Sequence, residues 1–443
     1  MGRIAAGLAC VFMAGSSWAQ AWSLLDVYQS ARQNDPAFRV ARYQRDAGRQ
    51  STAIARAGLL PNVSITAFRA RNEGDRVLIG SGIKQPLDYN VVQDAITLRQ
   101  PLINYESFVK YQQAGIQVAH SEAIFSAKES ELAVRVTTAY LEALLATEKL
   151  TLSDAEVATF EEQYRMAQRR MASGEGTLTE IAETESRLRI AEAERVGARD
   201  ALTIAVRVLE DMTGESMSGF SIPPSDSIPA SIQPDDLDAW ISIAQEHSPI
   251  ISSQRRLLES ARMDVNRNRA GHLPRLDLVA SITHSENDSV ALLNQKISNR
   301  SIGVQLTVPL FTGWGVMAQT DQAIANRERL SAELDATVNE VLVEVRRQFL
   351  NSRTSITKVS AYRKAVEASL TAVEGTRKAM AAGIRTNANL LDAQREMFSA
   401  KKDLAQARYE FLGSQIRLKA VAGILSENDV ADVDRVLVSE APK

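Results

Sequence analysis

Hydrophobic positions along this chain change period in the same order in each half. Ile116–Ser173 contains neither Gly nor Pro, and Val316–Glu374 contains none either. A helix of nearly sixty residues, rising ~1.5 Å per residue, would be about 85 Å long. Ordinary globular helices run roughly 8–20 residues, so such lengths point to coiled coil. The periodicity agrees. Leu132, Val136, Ala139, Ala143, Ala146, Leu150, Val157, Phe160, Tyr164, Ala167 and Met171 recur at steps of four and three, broken only at Ser153, which makes a heptad seam. In the second half Leu334, Val338, Val341 and Val345 begin a similar seam, continued by Val359, Tyr362, Val366 and Val373 with Gln348, Ser352, Ser355 and Ser369 between them. That many small and polar members suit shallow side-by-side packing in a larger bundle better than a two-stranded zipper. Shorter helices are predicted over about Leu24–Arg56, Thr177–Met212, Asp235–Arg269 and Asn387–Val421.

Before each long helix the period falls to two. Val63, Ile65 and Ala67 alternate with Asn62, Ser64 and Thr66, and Ile96 and Leu98 alternate with Ala95, Thr97 and Arg99. In the second half Leu276, Leu278, Ala280 and Ile282 alternate with polar neighbours, as do Ile302, Val304, Leu306 and Val308. These runs predict strands over about 62–73, 90–100, 275–286 and 300–308, joined by polar loops Glu73–Tyr89 and Glu286–Asn299. About ten residues is the length a tilted strand needs to cross a bilayer. A half-buried soluble sheet alternates in the same way, so the strands alone leave both open. Pro61 and Pro274 stop a helix and drive the preceding residue into extended backbone. Pro101 and Pro309 are expected where strand pairing ends and helix begins.

The halves are copies of one another. Asn34-Asp-Pro36 matches His247-Ser-Pro249, and Leu59-Leu-Pro61 matches His272-Leu-Pro274, both with prolines 213 positions apart. Pro101 and Pro309 are 208 positions apart, and Gly174 and Gly383 are 209 apart. The predicted domains are a first repeat over 22–213, a Pro- and Ser-rich linker over 214–234, a second repeat over 235–425 and a tail over 426–443. Each repeat runs short helix, two strands, long helix, short helix. Four strands cannot close a barrel, and an open edge is forbidden in lipid, so a membrane reading requires several chains to share one barrel. Eight strands would be filled by side chains, whereas a wider barrel leaves an aqueous lumen.

Composition narrows the function. Lys+Arg of 51 against Asp+Glu of 54 lacks the basic excess of a nucleic-acid coat. Aromatics at 5% are thin for a compact globule, while few Gly and Pro suit long helices. The single cysteine, Cys10, excludes a disulfide framework or cysteine zinc site, and His120, His247, His272 and His284 stand at no metal-ligand spacing. No catalytic motif or cofactor motif is found, so neither enzyme activity nor a cofactor is expected. Met1–Ala21 reads as a secretory signal: Arg3, an apolar run from Ile4 to Ala14, then small residues allowing cleavage after Ala19 or Ala21. Export leaves the periplasm, the medium or an outer membrane entered as strands.

The residues also resemble a family. Leu25-Asp-Val-Tyr-Gln-Ser-Ala-Arg, Asn34-Asp-Pro36, Leu59-Leu-Pro61, Val308-Pro-Leu-Phe-Thr-Gly313 and Ala407-Arg-Tyr-Glu-Phe-Leu look like TolC-type outer-membrane efflux proteins. Their order and spacing carry the likeness across about residues 22–425. The resemblance implies a mainly α fold with membrane β: a homotrimer whose twelve strands form one outer-membrane barrel, continued into the periplasm by a twelve-helix α-barrel. Linker and tail would contribute to an equatorial belt. It implies a passive exit duct for type I protein secretion or small-molecule efflux, docked to a periplasmic adaptor and an inner-membrane ABC or proton-driven transporter. Cys10 lies inside the leader, and the lack of a lipid-anchored cysteine leans toward protein secretion. The resemblance further implies a gate at the helix hairpins. Asp392 takes the innermost acidic ring position and Asn389 the second, usually aspartate. Arg385 takes a basic latch position opposite Thr179 and Glu180, with Met380 in place of a latch tyrosine. A Glu180–Arg385 pair, within or between protomers, is expected to help hold the pore shut. The rival reading is a periplasmic coiled-coil adaptor, which would normally carry one helical hairpin flanked by small β-domains.

Overall fold

The computed structural model describes residues 22–217, 219–220, 222–223, 232–287 and 295–438. The leader and about half of the Pro/Ser linker, including Pro224 and Pro229, therefore lie outside the described residues.

Helices α1 (Leu24–Asn34) and α2 (Pro36–Ala57) replace the single helix expected over 24–56. Pro36 cannot donate into the preceding turn but suits the first position of a new helix. Asp35 caps that helix, accepting from the Phe38 amide at 2.6 Å, and Arg135 holds its carboxylate at 3.1 Å. The second repeat breaks at the same place, giving α5 (Leu237–His247) and α6 (Pro249–Arg269). The capping residue there, Ser248, is buried and makes no side-chain bond.

The long helices are α3 (Tyr105–Ala172) and α7 (Gly315–Ala381); their shorter companions are α4 (Leu178–Thr213) and α8 (Asn387–Ala422). The α3 helix starts before Ile116 and runs through Gly115, with the Asn104 side chain receiving the Ser107 amide at its first turn. Most of the predicted seam is buried: Leu132, Val136, Ala139, Ala143, Ala146, Val157, Phe160 and Ala167 all are, as is Ser153 at its break. In α7 the buried row Val341, Val345, Gln348, Ser352, Ser355, Val359, Ser369 and Val373 keeps its polar members. Ser352 bonds Ser414 of α8 at 2.7 Å, so that hydroxyl is satisfied across a close helix contact. A last helix, α9 (Glu427–Val438), forms where only a tail was expected. Its Val430, Val433 and Leu437 are buried, and Asp434 accepts the Leu24 amide at 2.7 Å, tying the start of α1 to the chain's end.

Strands β1 (Asn62–Val77), β2 (Lys84–Ile103), β3 (Arg275–Asn287) and β4 (Gln295–Thr307) form one antiparallel sheet in the order β1-β2-β3-β4. The first two strands are longer than expected. The segment predicted as a 73–89 loop is mostly paired strand, from Glu73↔Asp88 to Val77↔Lys84. Its polar residues pair across the hairpin, as Lys84–Asp75 does at 2.8 Å, so low hydrophobicity did not mean loop. Half of the second expected loop, 288–294, lies outside the described residues, and its two ends, 286–287 and 295–299, are paired strand rather than loop. Pro101 does not end its strand. β2 continues to Ile103 with a register shift between Pro101 and Ile103, because the bulge tolerates the missing donor. Pro61, Pro274 and Pro309 lie outside the helices and strands, at the junctions where they were expected.

Registers place the alternating residues on two distinct faces. Directly paired residues share a face, so Val63, Ile65, Leu98, Ile96, Ala280, Ile282, Ile302 and Val304 lie together on one side. Ile65, Ile302 and Val304 are more than half exposed there. The opposite face carries hydroxyls, with Ser64 bonded to Thr97 at 2.7 Å and Ser281 to Ser301 at 2.8 Å.

The chain divides into two compact units that cut across the duplication. One comprises residues 1–40, 128–246 and 342–443; the other comprises 41–127 and 247–341 and contains the whole sheet. Among the described residues no helix is long and apolar enough to cross a membrane.

Candidate functional site

The predicted gate residues fall in the first unit, at the tips of two helical hairpins. Gly174 and Gly383 each adopt positive φ (81° and 73°), a conformation that favours glycine, and each reverses the chain between a long helix and its companion. Thr177 then caps α4 by accepting the Glu180 amide at 3.2 Å. Thr386 caps α8, and Asn389 completes a reciprocal capping box by accepting the Thr386 amide at 3.2 Å and the Thr386 hydroxyl at 2.9 Å.

The tips share a cleft of about 660 Å³ whose lining includes Arg170, Thr179, Glu180, Met380 and Arg385. The structure thus brings together all four predicted latch residues. It does not form the predicted pair within the chain. Glu180 is bonded by Arg170 at 2.9 Å, and Arg385 donates instead to Thr376 at 3.4 Å. Arg170 lies as far before the α3–α4 turn as Glu180 lies after it, so the shortest route to charge balance is across the same turn. Met380 packs on Val373, Leu390, Met397 and Phe398 and fills an apolar place rather than a bonding one.

The two ring positions also find partners. Asn389 commits its carbonyl oxygen to the Thr386 cap. Asp392 remains well exposed, but Arg187 of α4 donates to it at 2.6 Å. Its charge is therefore compensated within the chain, which the expectation of a bare acidic ring had missed.

Further from the tips, α8 is tied to the first hairpin by groups that sequence reading did not find. Lys402 donates to Glu156 of α3 at 2.7 Å and to Glu194 of α4 at 2.9 Å. Glu156 is buried. Burial opposes the Lys402 charge, but hydrogen bonds and charge from the two glutamates outweigh it and hold its pKa above the ordinary lysine value. Nearer the other end, Tyr409 donates to Glu148 at 2.9 Å, and burial first and that carboxylate second raise its pKa. On the tip side of both ties Leu391 packs with Val157, Phe160, Leu188 and Ala191. Arg170 could have been found as a charge equidistant from a hairpin turn. Lys402 carries no local signal, because its partners are more than two hundred residues away in sequence.

No group of His, Cys, Asp and Glu among the described residues could hold a metal ion. The site consists of helix tips, ion pairs and apolar packing. Two stretches of the chain, residues 27–215 and 240–424, match the outer membrane efflux protein family. The chain belongs to that family. As a member it is an outer-membrane exit channel of a tripartite export system that extends into the periplasm, and the adaptor reading falls. Among its relatives, alkaline protease secretion protein AprF of Pseudomonas aeruginosa is 36% identical over 95% of this chain and 88% of its own length. Proteases secretion protein PrtF of Dickeya chrysanthemi is 35% identical over 97% of this chain and 94% of its own. The crystal structure of CusC, at 16% identity, superposes with a TM-score of 0.78 over 90% of this chain and 92% of that one, which shows the shared fold.

Proposed function

We propose that three copies of this chain form one continuous duct, in which twelve strands make an outer-membrane barrel and the helices prolong it through the periplasm. The observation that carries this reading is the four-stranded sheet, with one apolar face, one polar face and two open edges. Unpaired N–H and C=O groups at those edges cannot remain in hydrocarbon, so each edge must meet another copy. The apolar face turns to lipid, and the hydroxyl-bearing face turns to water. Three copies, rather than two, leave a lumen wide enough for transport.

The duct is passive, and its resting state is closed where the hairpin tips converge. Asp392 then appears three times around one axis, each copy balanced by its Arg187. A periplasmic adaptor draws the tips apart, and an inner-membrane transporter supplies the energy. The cargo is protein, of the kind named for AprF and PrtF, whose likeness spans nearly the whole chain.

Light scattering of the detergent-solubilised protein, with planar-bilayer recording of the same preparation, tests the reading. A trimeric mass and discrete conductance steps are expected. A monomer that passes no ions would overturn it. Gene deletion, with secreted proteins compared against drug sensitivity, tests the cargo; loss of secreted protein is the expected result.

A further inference from the structure

The internal duplication extends to the strand registers, and this sets how one copy must meet the next. A shift of 213 positions carries β1 onto β3, and a shift of 208 carries β2 onto β4. Asn62↔Arg99 in the first hairpin then becomes Arg275↔Thr307 in the second, and Gly74↔Leu87 becomes Asn287↔Gln295. Both images are observed pairs, as is every pair between them. The two hairpins are therefore the same object, and the β2–β3 junction shows how one such hairpin joins the next.

The geometry points to the same junction between copies: β4 of one chain pairs with β1 of its neighbour in the register of β2 with β3, which sets Arg300 directly opposite Glu73 of the neighbouring copy. This rests on the proposed trimeric duct. In β2–β3, Val92 pairs with Glu286. The same shifts carry Val92 to Arg300 and Glu286 back to Glu73. Ser301 then faces Asn72 of the neighbour, and Ile302 faces its Arg71.

Two observations made without that mapping agree with it. Directly paired residues must share a face. Arg300 lies on the apolar face, as the partner of Ile282, and Glu73 lies on it too, in the alternation with Ile65 and Val63. The second observation is charge. On that face Arg69 is paired with Asp94, Arg71 with Asp88, Lys84 with Asp75, and Lys296 with Glu286. Arg300 has no ion partner among the described residues, and it stands beside the open β4 edge. Glu73 stands beside the open β1 edge, two-thirds exposed and, among the described residues, held only by Arg71 of its own strand. A cation without an ion partner among the described residues at one edge and an available carboxylate at the other are what a seam of this register would join.

The seam also accounts for the early end of β4. Residues 308–310 are the images of 100–102, which remain within a strand where β3 lies alongside. A neighbour's β1 supplies the same support.

Disulfide trapping tests the register in the full-length protein, in native outer membranes, with Cys10→Ser removing the one native thiol. Two double variants are made, Arg300→Cys with Glu73→Cys, and Ser301→Cys with Asn72→Cys. Successive antiparallel pairs alternate between hydrogen-bonded and closer non-hydrogen-bonded sites, so one of the two presents the better geometry. Direct cross-strand partners have Cβ atoms about 4.5–5.5 Å apart and partners displaced by two about 7–8 Å, whereas a disulfide needs about 3.5–4.5 Å. The expected result is a covalent trimer from at least one of the two variants, returned to monomer by reductant. Ser298→Cys with Glu73→Cys, displaced by two, should trap at least tenfold less. A trimer that links in the displaced pair, or in none of the three, overturns this seam and leaves the duct standing. A monomeric mass in detergent overturns both.

Discussion

Lys402→Met should loosen α8 far more than any change at the exposed tip. The Lys402 side chain is about four-fifths buried, and its ammonium lies between Glu156, at 7% side-chain exposure, and Glu194, at 48%. Removing it leaves the Glu156 carboxylate buried without its cation. Stranding one partner of a fully buried pair costs about 3–5 kcal/mol. The partly open lysine and the half-exposed Glu194 reduce this, so we expect about 2–3 kcal/mol of local stability. By contrast the Arg187–Asp392 pair, with Asp392 63% exposed, falls in the surface class worth ~0.2–1 kcal/mol. Hydrogen exchange read by mass spectrometry suits the question, because it reports local opening without reversible unfolding of a membrane trimer. Amide protection around residues 398–406 should fall about 30- to 150-fold in Lys402→Met, since each 1.4 kcal/mol is tenfold. Adding Glu156→Met should restore most of it, because two apolar groups replace a stranded charge. Protection within threefold of wild type in the single variant, or no recovery in the double, would refute the assignment of Lys402 as the tie.

Two further outcomes rest on the charges. Asp392→Asn should weaken block of the conducting trimer by a trivalent cation applied from the periplasmic side, whereas Arg187→Ala should strengthen it by unmasking the carboxylate; block unchanged by both would remove Asp392 from the lumen. Docking of α9 should be tightest near pH 4. Burial raises the Asp434 pKa against the bonds it accepts, so its contribution grows as pH falls from that raised value to the ordinary ~3.9. Burial also opposes the Asp429 charge, but Lys419 and Ser426 outweigh it and lower that pKa, so its contribution is lost as pH falls below ~3.9. Limited proteolysis after Leu437 across pH 3–7 checks this, and a monotonic curve would count against it.

Local periodicity carried most of the fold. The heptad seam from Leu132 to Ala167 and the alternation around Ile65 and Ile302 arise from side-chain burial at fixed spacing, and both are readable in one dimension. The misses have a common cause. Pro36 and Pro249 interrupt their helices through a missing backbone donor, which hydrophobic periodicity does not see. Residues 73–77 and 84–89 read as loop because their charges are satisfied across the hairpin, as in Arg71–Asp88. The helix over 427–438 depends on Asp434 reaching the α1 amides. At the candidate gate, position carried over from a family pattern located Thr179, Glu180, Met380 and Arg385 in one cleft. It could not choose partners, because Arg170 competes for Glu180 and Arg187 for Asp392, and competition is settled by distances that a sequence does not hold.

The duplication makes the remaining asymmetry informative. The two hairpin tips have the same backbone: Gly174 and Gly383 turn the chain, and Thr177 and Thr386 cap α4 and α8, each pair 209 positions apart. The ties across the turns differ. The first tip is stapled by Arg170–Glu180. The images of those residues in the second are Ala379 and Asn389, which cannot form an ion pair, and Asn389 bonds only its own cap. Backbone shape was kept while one closure was lost. The second tip, crossed by the long Arg385–Thr376 bond at 3.4 Å in place of an ion pair, is therefore the looser, and the more deeply buried ties of α8, at Lys402 and Tyr409, lie beyond it. A hairpin loose at its end and pinned toward its base bends at the end, so opening should begin with residues 381–388 while 172–178 stay put. Hydrogen exchange in the resting trimer should be faster at 383–388 than at 174–179, and Arg170→Ala should bring the first tip to the rate of the second. Equal rates in the wild type would mean that the ion pair across the first turn does not hold it, and that the mobile element is set by something other than these tips.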